Sequence, residues 1–396
     1  MAEKKNPEIR FKGFSDDWEQ CEFSEMAVRN SVMAQCSSEL PSVEYEDIVS
    51  GQGTLNKDVR EKAKTKYGIR FAPNDVLFGK LRPYLKNWFV PDFSGVAVGD
   101  FWVLQPSETD SLYLYYLIQT PAFQVAVNQS TGTKMPRADW NVVSKTMFKV
   151  PKEQREQSKI GQTLKAIDDL ITLHQRKYEK LLQVKKAMLE KMFPKDGADV
   201  PEIRFKGFTD AWEKRKYGSI FNQRIEYLNP QESNIELWSL TVEKGLTPKT
   251  ERYTRDFLVT KEDKYKAIKS GDIVYNPMNM TLGAIGYNDM PKTVAVSGYY
   301  VTMEPTKNID GYFIKTLMQR PQSIESYKMN ATGSLLEKQR VQYPAFSEIQ
   351  CILPDFKEQT RIGAFFKYLD HLITLQQQEL DKLQNIKNAL LDKMFA

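Results

Sequence analysis

The chain has 396 residues, a formal net charge of +5, 41% hydrophobic residues and 12% aromatic residues. This length favours two or three domains that each bury a core, and this composition is typical of globular rather than disordered chains. No run of residues approaches the roughly 18 to 20 uncharged apolar positions of a membrane span, and the N-terminus lacks the apolar region of a secretory signal. Three cysteines, Cys21, Cys36 and Cys351, are too few and too scattered for a disulfide framework or a zinc site. We therefore expect a cytoplasmic protein with no membrane contact and no bound metal.

The first feature in chain order is a phrase that occurs twice. Residues 7–14 recur letter for letter at 201–208, an offset of 201 − 7 = 194, and an Asp-x-Trp-Glu follows each copy. A second phrase at 160–193 recurs at 362–395, an offset of 362 − 160 = 202, and both copies contain Leu-Ile-Thr-Leu. Repetition at this period indicates a pseudo-dimer within one polypeptide rather than a solenoid. The heads are expected to stay alike because they meet identical partners.

Between each repeated head and its tail lies an insert that shows no such correspondence. A shared frame with two different inserts suits a molecule that performs one kind of task on two different objects. The predicted segments are an N-terminal segment (1–19), a first insert (20–150), a central helical region (151–199), a second head (200–214), a second insert (215–353) and a C-terminal helical region (354–396).

Each insert has the pattern of a mixed α/β fold. Residues 75–78 and 272–275 follow turn signals and are rich in Val, Ile, Phe and Tyr, which favours strands. Second strand regions are predicted over 96–104 and 294–302, and short helices over 112–117 and 312–318, with Thr120-Pro121 and Arg320-Pro321 as their ends. The predicted fold class is α+β, with two divergent copies of one mixed α/β insert.

Basic residues crowd one stretch of each insert, residues 60–86 and 244–269, with tyrosines interleaved among them and Trp88 just beyond the first stretch. This pattern fits a surface that follows phosphates. Acidic residues dilute both stretches, so an ordinary solvated face explains the charge equally well.

Two pairs of loops carry the residues best suited to reading bases, 79–84 with 276–281 and 131–137 with 332–340. Arg and Lys suit the acceptors of guanine, Asn suits the adenine edge, and small hydroxyls beside basic groups suit phosphates. Plain turn chemistry is the alternative for any single residue. The predicted DNA contacts are Lys80, Arg82, Tyr84, Lys86, Thr133, Lys134 and Arg137 in the first insert, and Arg252, Tyr253, Asn276, Asn279, Ser334, Lys338 and Arg340 in the second.

The repeated tails have the 3,4 apolar spacing of long amphipathic helices, each about 40 residues or roughly 60 Å long. Such a stripe needs a partner, and equivalent halves related by a pseudo-twofold axis give an antiparallel pair. Lys185 and Lys387 interrupt the stripe at equivalent places. They either set the register or extend outward to solvent, and the second reading is favoured. The predicted spacer and partner-binding residues are Leu164, Ile171, Tyr178, Leu181, Phe366, Ile373, Leu380 and Leu383.

Few features of the sequence indicate a catalytic site. The two histidines, His174 and His371, lie in the helical tracts at non-equivalent positions, which makes a histidine-based triad or metal centre improbable. The phosphate-binding and dinucleotide-binding glycine motifs are not present. We expect a non-catalytic chain that binds no cofactor of its own. A coiled-coil adaptor that binds no DNA is the competing class, and it leaves two unlike basic inserts unexplained.

The chain resembles the specificity subunit of type I restriction-modification enzymes. The resemblance rests on the Phe-x-Gly-Phe-x-x-x-Trp-Glu heads, on Leu-Arg-Pro-Tyr-Leu at 81–85, on Thr-Gly-Thr at 131–133 and on the repeated tails. It covers nearly the full length, although the second half departs from the first at 278–281, which leaves the bases it would read open.

The resemblance implies that the inserts are target-recognition domains, each reading one half of a split asymmetric DNA site in the major groove. It implies that the tails, the family's conserved regions, set the unread spacer and bind two methyltransferase (modification) subunits and, through them, restriction/translocase subunits. S-adenosylmethionine, ATP and Mg²⁺ would then bind to those partner subunits.

Overall fold

The structure is a computed structural model that describes residues 6–61, 65–129, 135–195, 197–229, 233–249, 264–333 and 339–395. It forms two compact units. Unit 1 comprises Met1–Lys177 and Gln376–Ala396, and unit 2 comprises Tyr178–Leu375. Within the described ranges, no helix combines the length and the apolar character that a membrane crossing requires.

Unit 1 is built on two four-stranded sheets with short helices beside them. The sheet orders are β3-β7-β10-β4 and β2-β11-β8-β9, and two-stranded sheets pair β1 with β12 and β5 with β6. The strands are β1 (Glu19–Glu22), β2 (Ala27–Asn30), β3 (Met33–Gln35), β4 (Ser42–Val43), β5 (Ile48–Val49), β6 (Thr54–Leu55), β7 (Tyr67–Phe71), β8 (Val76–Gly79), β9 (Trp88–Phe89), β10 (Gly95–Ala97), β11 (Phe101–Pro106) and β12 (Met147–Val150). The short helices are α1 (Phe23–Met26), α2 (Ser111–Leu117), α3 (Pro121–Val127) and α4 (Trp140–Val143). The long helix α5 (Gln154–Lys191) contributes its residues up to Lys177 to this unit and the rest to unit 2.

Unit 2 repeats this plan. Its sheet orders are β14-β22-β19-β20 and β15-β18-β21, with the pairs β13-β23 and β16-β17. The strands are β13 (Glu213–Lys216), β14 (Phe221–Arg224), β15 (Tyr227–Leu228), β16 (Trp238–Thr241), β17 (Gly245–Pro248), β18 (Tyr265–Ile268), β19 (Ile273–Tyr275), β20 (Ile285–Tyr287), β21 (Val294–Ser297), β22 (Val301–Pro305) and β23 (Gln350–Leu353). The short helices are α6 (Tyr217–Ile220), α7 (Gly311–Met318), α8 (Pro321–Asn330) and α9 (Tyr343–Glu348). The long helix α10 (Phe356–Lys393) contributes its residues up to Leu375 to this unit and the rest to unit 1.

The α+β fold class and the internal duplication are confirmed. The strands predicted over 75–78 and 272–275 are β8 and β19, and each pairs with the strand predicted after it, β11 and β22. Both predicted short helices, α2 and α7, are present. The prolines at 121 and 321 were expected only to close them, but each also occupies the first turn of another helix, α3 or α8, where its missing N–H costs nothing.

The long helices run antiparallel within each unit, as expected. In unit 1, Asp168 of α5 meets Lys387 of α10, and His174 meets Gln376 at 2.8 Å. The residue number rises along one helix while it falls along the other. Because 174 + 202 = 376, the last two residues are each other's counterparts in the repeat.

The apolar stripe of the long helices is buried unevenly. Leu164 and Phe366 are fully buried and Leu380 is 7% exposed. The other predicted positions, Ile171, Tyr178, Leu181, Ile373 and Leu383, are only half-buried. The two-helix tract therefore leaves part of its stripe accessible along its length.

The favoured interpretation of Lys185 and Lys387 as outward-extending side chains is wrong. In unit 1, Lys387 Nζ lies 2.7 Å from an oxygen of Asp168, and the lysine side chain is only 6% exposed. In unit 2, Lys185 Nζ lies 2.6 Å from an oxygen of Asp370. Both lysines therefore form ion pairs across the helix pair, which is the register-setting alternative.

The repeated head has a structural role inside each unit. The Arg10 guanidinium donates two hydrogen bonds to the buried carboxylate of Glu156, at 2.7 and 2.8 Å, and Arg204 forms the same bidentate pair with Glu358. The side chains of Glu156 and Glu358 are 1% and 0% exposed. Each head is therefore fixed to the first turn of a long helix.

The glutamine after each of these glutamates joins the insert to the same turn. Gln157 accepts a hydrogen bond from the backbone N–H of Asp110, and Gln359 does so from Asp310. One turn along α5, a Cβ at Gly161 would lie 2.7 Å from Leu112, so only glycine allows α2 to pack this closely. Three residues that recur in both halves, a Glu, a Gln and a Gly, thus hold the head and an insert helix against the N-terminal turns of a long helix.

Candidate nucleic-acid interface

In unit 1, the loop after β8 lies against the loop that precedes α4. The backbone carbonyl of Lys80 accepts a hydrogen bond from Ala138, and the Arg82 N–H donates to the carbonyl of Pro136. Leu81 and Arg137 form an isolated β-bridge between the two bonds. Two segments far apart in sequence, both predicted to contact DNA, therefore form one surface.

The tip of the first loop projects aromatic and basic side chains. Arg82 and Lys86 have φ values of +49° and +56°, a left-handed conformation that non-glycine residues seldom adopt. They flank a short 3₁₀ turn at Pro83–Leu85, which leaves Tyr84 54% exposed. Lys86 is also exposed, whereas the Nε of Arg82 is buried and has no hydrogen-bond partner among the described residues.

An acidic residue that the sequence analysis did not select joins the two loops. Arg137 donates from Nε and Nη2 to one oxygen of Asp100, at 3.2 and 3.0 Å, and Lys80 Nζ lies 3.5 Å from the other oxygen. The Tyr45 hydroxyl donates to the Asp100 carbonyl and accepts from the Leu81 N–H. Burial raises the pKa of Tyr45, so its hydroxyl stays protonated and keeps the donor role.

An open groove of about 380 Å³ runs beside this cluster. The Arg29 guanidinium lies 5.2 Å from the ring centre of Trp140, a cation–π geometry, and both side chains line the groove with Lys80 and Arg137. Arg29 and Trp140 were also missed, because each lies outside the basic stretch and only the sheet and α4 bring them to the loops. The groove combines cations with the half-buried ring of Trp140.

In unit 2 the equivalent loops also meet. The Val341 N–H donates to the carbonyl of Pro277, and Thr332 and Arg340 exchange two backbone hydrogen bonds. The Asn276 side chain is nearly buried and accepts the Met278 N–H, so it supports the turn, whereas Asn279 is exposed. A role in base reading stays a prediction for both Asn276 and Asn279.

Arg340 occupies the place in unit 2 that Arg137 occupies in unit 1. Each precedes a residue whose N–H donates to an equivalent carbonyl: Ala138 donates to Lys80, five residues after Asp75, and Val341 donates to Pro277, five residues after Asp272. In unit 2, however, the arginine lies over an aromatic ring, with the guanidinium carbon 5.5 Å from the centre of Tyr299.

Some of the predicted contacts cannot be placed. The predictions for Thr133, Lys134, Arg252, Tyr253, Ser334 and Lys338 lie outside the described residues. Of the basic stretch in unit 2, Lys266 is 7% exposed, burial lowers its pKa, and its ammonium donates to the carbonyl of Tyr300. That lysine is part of the fold and not of the basic surface.

In the part of the chain that the structure describes, no three His, Cys, Asp or Glu side chains lie close enough together to bind a metal ion.

Comparison with known proteins agrees with this architecture. The family model described as type I restriction modification DNA specificity domain matches twice, at residues 16–183 and 199–385. The chain therefore belongs to the type I restriction-modification specificity subunit family.

Individual relatives are distant. The type I restriction enzyme MjaVIII specificity subunit of Methanocaldococcus jannaschii is 23% identical over 307 residues, covering 72% of this chain and 69% of the relative. The crystal structure of the type I restriction-modification system S subunit from M. genitalium matches with a TM-score of 0.67 at 14% identity, covering 99% of both chains. At that identity the structural match shows the shared fold alone.

Proposed function

We propose that each unit reads one half of a bipartite, asymmetric DNA target through the major groove. The observation that carries this proposal is one frame with two different sets of side chains. Equivalent pairs of loops present Lys80, Arg82 and Arg137 in unit 1 but Asn279 and Arg340 in unit 2. Basic and amide side chains favour different base edges, so the two units would recognise different base sequences.

The segments that would do this are the two inserts at 20–150 and 215–353. The remaining predicted contacts, including those outside the described residues, belong to the same proposal. The alternative function, a coiled-coil adaptor without sequence-specific DNA binding, predicts no methylation motif that depends on the inserts.

The antiparallel helices would set the unread gap. A separation of about one turn of duplex, roughly 34 Å between half-site centres, places both readers on one face of DNA. The half-buried stripe of the helix pair leaves apolar side chains available to partner proteins, which supports binding of two methyltransferase subunits and, through them, restriction/translocase subunits. S-adenosylmethionine, ATP and Mg²⁺ would act on those partners in the cytoplasm, and this chain would be non-catalytic.

Single-molecule sequencing of methylated adenines in a host carrying this chain and its partner subunits tests the proposal. The expected result is one split motif. Replacement of residues 20–150 by an insert from another member of the family should change one half of that motif and leave the other half intact. A change in both halves, or in neither, would contradict independent reading by the units.

The spacer is tested separately. Seven residues of helical sequence are inserted after Gln183 and after Asn385, between the two lysine–aspartate pairs along each helix. The unread gap should lengthen while both half-site words stay the same. A gap of unchanged length would refute the role of the helices in setting the gap. It would leave the proposal that each unit reads one half-site unaffected.

A further inference from the structure

The two units restrain one equivalent arginine by different chemistry. In unit 1, Arg137 is paired with the carboxylate of Asp100, whose other oxygen faces Lys80. In unit 2, Arg340 lies on the ring of Tyr299. An ion pair cancels charge, whereas a cation–π contact leaves the charge in place.

Asp100 and Tyr299 occupy the same position in the fold. In the β11–β8 pair, Trp102 is opposite Phe78, the third residue of its strand. In the β22–β19 pair, Val301 is opposite Tyr275, also the third. The residues two positions earlier are therefore Asp100 in unit 1 and Tyr299 in unit 2.

The equivalence of the strands themselves rests on the aspartate that precedes each of them. Asp75 accepts the N–H of Ala72, and Asp272 accepts the N–H of Lys269, three residues earlier in both cases. The arginines and the residues that hold them are thus matched by hydrogen-bond register and not only by sequence.

We infer that Asp100 is a positioning residue that limits indiscriminate DNA binding by unit 1, and that Tyr299 leaves unit 2 without this limit. The inference rests on the proposed DNA-reading function. In unit 1, a phosphate can recruit Arg137 and Lys80 only in competition with Asp100, while in unit 2 Arg340 has no carboxylate partner among the described residues and keeps its charge. Contacts to non-target DNA, which are electrostatic, would therefore come mainly from unit 2.

The geometry allows this competition. The Arg137 side chain is 58% exposed while it is held, and Asp100 is 28% exposed, so a phosphate can approach without unfolding the loops. The carbonyl of Asp100 carries the bonds to Tyr45 and to the Lys80 N–H. A change of the Asp100 side chain therefore leaves the backbone support of the loop intact.

The test uses the full chain and a labelled mixed-sequence duplex that lacks the methylated motif, titrated at several salt concentrations. Asp100→Asn should bind about three- to tenfold more tightly at low salt, and the slope of log K against log salt should steepen by about one. Asp92→Asn makes the same charge change at an exposed carboxylate of unit 1 and should not steepen the slope. Asp100→Glu should restore wild-type behaviour.

The reciprocal variant places a carboxylate in unit 2. Tyr299→Asp should weaken binding to the same duplex by a similar factor, and Gln322→Glu, an exposed position on α8, should not. The effect of Tyr299→Asp should vanish in an Arg340→Gln background, and that of Asp100→Asn in a background with Lys80→Gln and Arg137→Gln. Because the two variants lie in different units, failure of one to fold leaves the other decisive.

Persistence of either effect in its arginine-free background would overturn the inference, because the carboxylate would then act as general surface charge. Equal tightening on the duplex with and without the methylated motif would also overturn it. If the wild-type chain shows neither DNA binding nor a salt slope, the proposed function itself fails.

Discussion

Lys387 and Asp168 form a buried ion pair, 2.7 Å long, between the two long helices of unit 1. The same pair recurs in unit 2 as Lys185 and Asp370, because 185 + 202 = 387 and 168 + 202 = 370. A lysine that interrupts an apolar stripe at the same place in both copies therefore has an aspartate partner at the same place in both copies. The pair fixes the stagger of the helices, since a shift by one turn would leave a buried charge without its partner.

Loss of the buried lysine should be costly. Among the described residues, Lys387→Met leaves the Asp168 carboxylate with only the Tyr116 hydroxyl as a partner. We expect a loss of about 3 to 5 kcal/mol in the free energy of unfolding, measured by guanidinium denaturation. The matched control is Lys382→Met on the same helix, whose side chain is 66% exposed and should change stability by less than about 0.5 kcal/mol. Adding Asp168→Asn to Lys387→Met should recover part of the loss. Equal effects of the two lysine variants would contradict the role of the ion pair.

The heads should be needed for the stability of each unit. Arg10→Gln removes the bidentate partner of Glu156, whose side chain is 1% exposed, and about 3 kcal/mol or more should be lost. Arg204→Gln should have a similar effect on unit 2. Lys12→Gln, a change to an exposed residue of the same head, should be close to neutral by thermal unfolding. A neutral Arg10→Gln would show that the head serves partners alone.

The aspartate of unit 2 gives a pH dependence. Burial raises the pKa of Asp370, but the lowering of this pKa by Lys185, Lys315 and the Tyr312 hydroxyl is larger. The pKa of Asp370 therefore lies below the ordinary 3.8. A carboxyl with a lowered folded-state pKa contributes stability above its unfolded pKa and loses it as the pH falls through the folded pKa. The stability advantage of the wild type over Asp370→Asn should be full above pH 3.8 and shrink below it. An advantage that grows in acid would contradict this sign.

Arg82 tests base reading in unit 1. If Arg82 contacts a guanine edge, Arg82→Ala should reduce discrimination at particular base pairs by about 1 to 3 kcal/mol, seen as a relaxed methylation motif. Lys86→Ala, at the exposed end of the same turn, is the comparison. An unchanged motif with weaker overall binding would assign Arg82 to the phosphate backbone instead.

The arrangement of repeated heads and long helices could be predicted from the sequence because its residues recur in both halves. The helical period, the turn signals before residues 75 and 272 and the antiparallel pairing all follow from local pattern or from the duplication itself. The partners of Lys185 and Lys387 could not be predicted, since Asp168 and Asp370 become neighbours only when the helices pair.

The candidate site was harder to predict for the same reason. Lys80 and Arg137 were selected by residue type and loop position, but their common partner Asp100 lies in a turn with no motif of its own. Asn276 is likewise buried and accepts the Met278 N–H, an arrangement that only the folded turn provides. Residue type indicates what a side chain can bind, and packing decides whether it is available.

The two aspartates of the helix pair accept hydrogen bonds from tyrosines that are not equivalent. Tyr116 reaches Asp168 in unit 1, whereas Tyr312, whose counterpart is Leu112, reaches Asp370 in unit 2. Tyr116→Phe should cost about 1.5 to 3 kcal/mol in the free energy of unfolding, and adding Leu112→Tyr should return part of it. No recovery would show that the two positions are not interchangeable.

This one-turn displacement sets a compatibility rule for exchange of the inserts between related chains. The acceptor, Asp168, lies in the tail, but its donor, Tyr116, lies inside residues 20–150 and travels with the insert. A transplanted insert therefore keeps this hydrogen bond only if it carries a hydroxyl on either of two successive turns of α2. Under the proposed function, exchange of inserts is thus constrained twice, once by the DNA sequence that the new insert would recognise and once by a single phenol that stabilises the recipient helix.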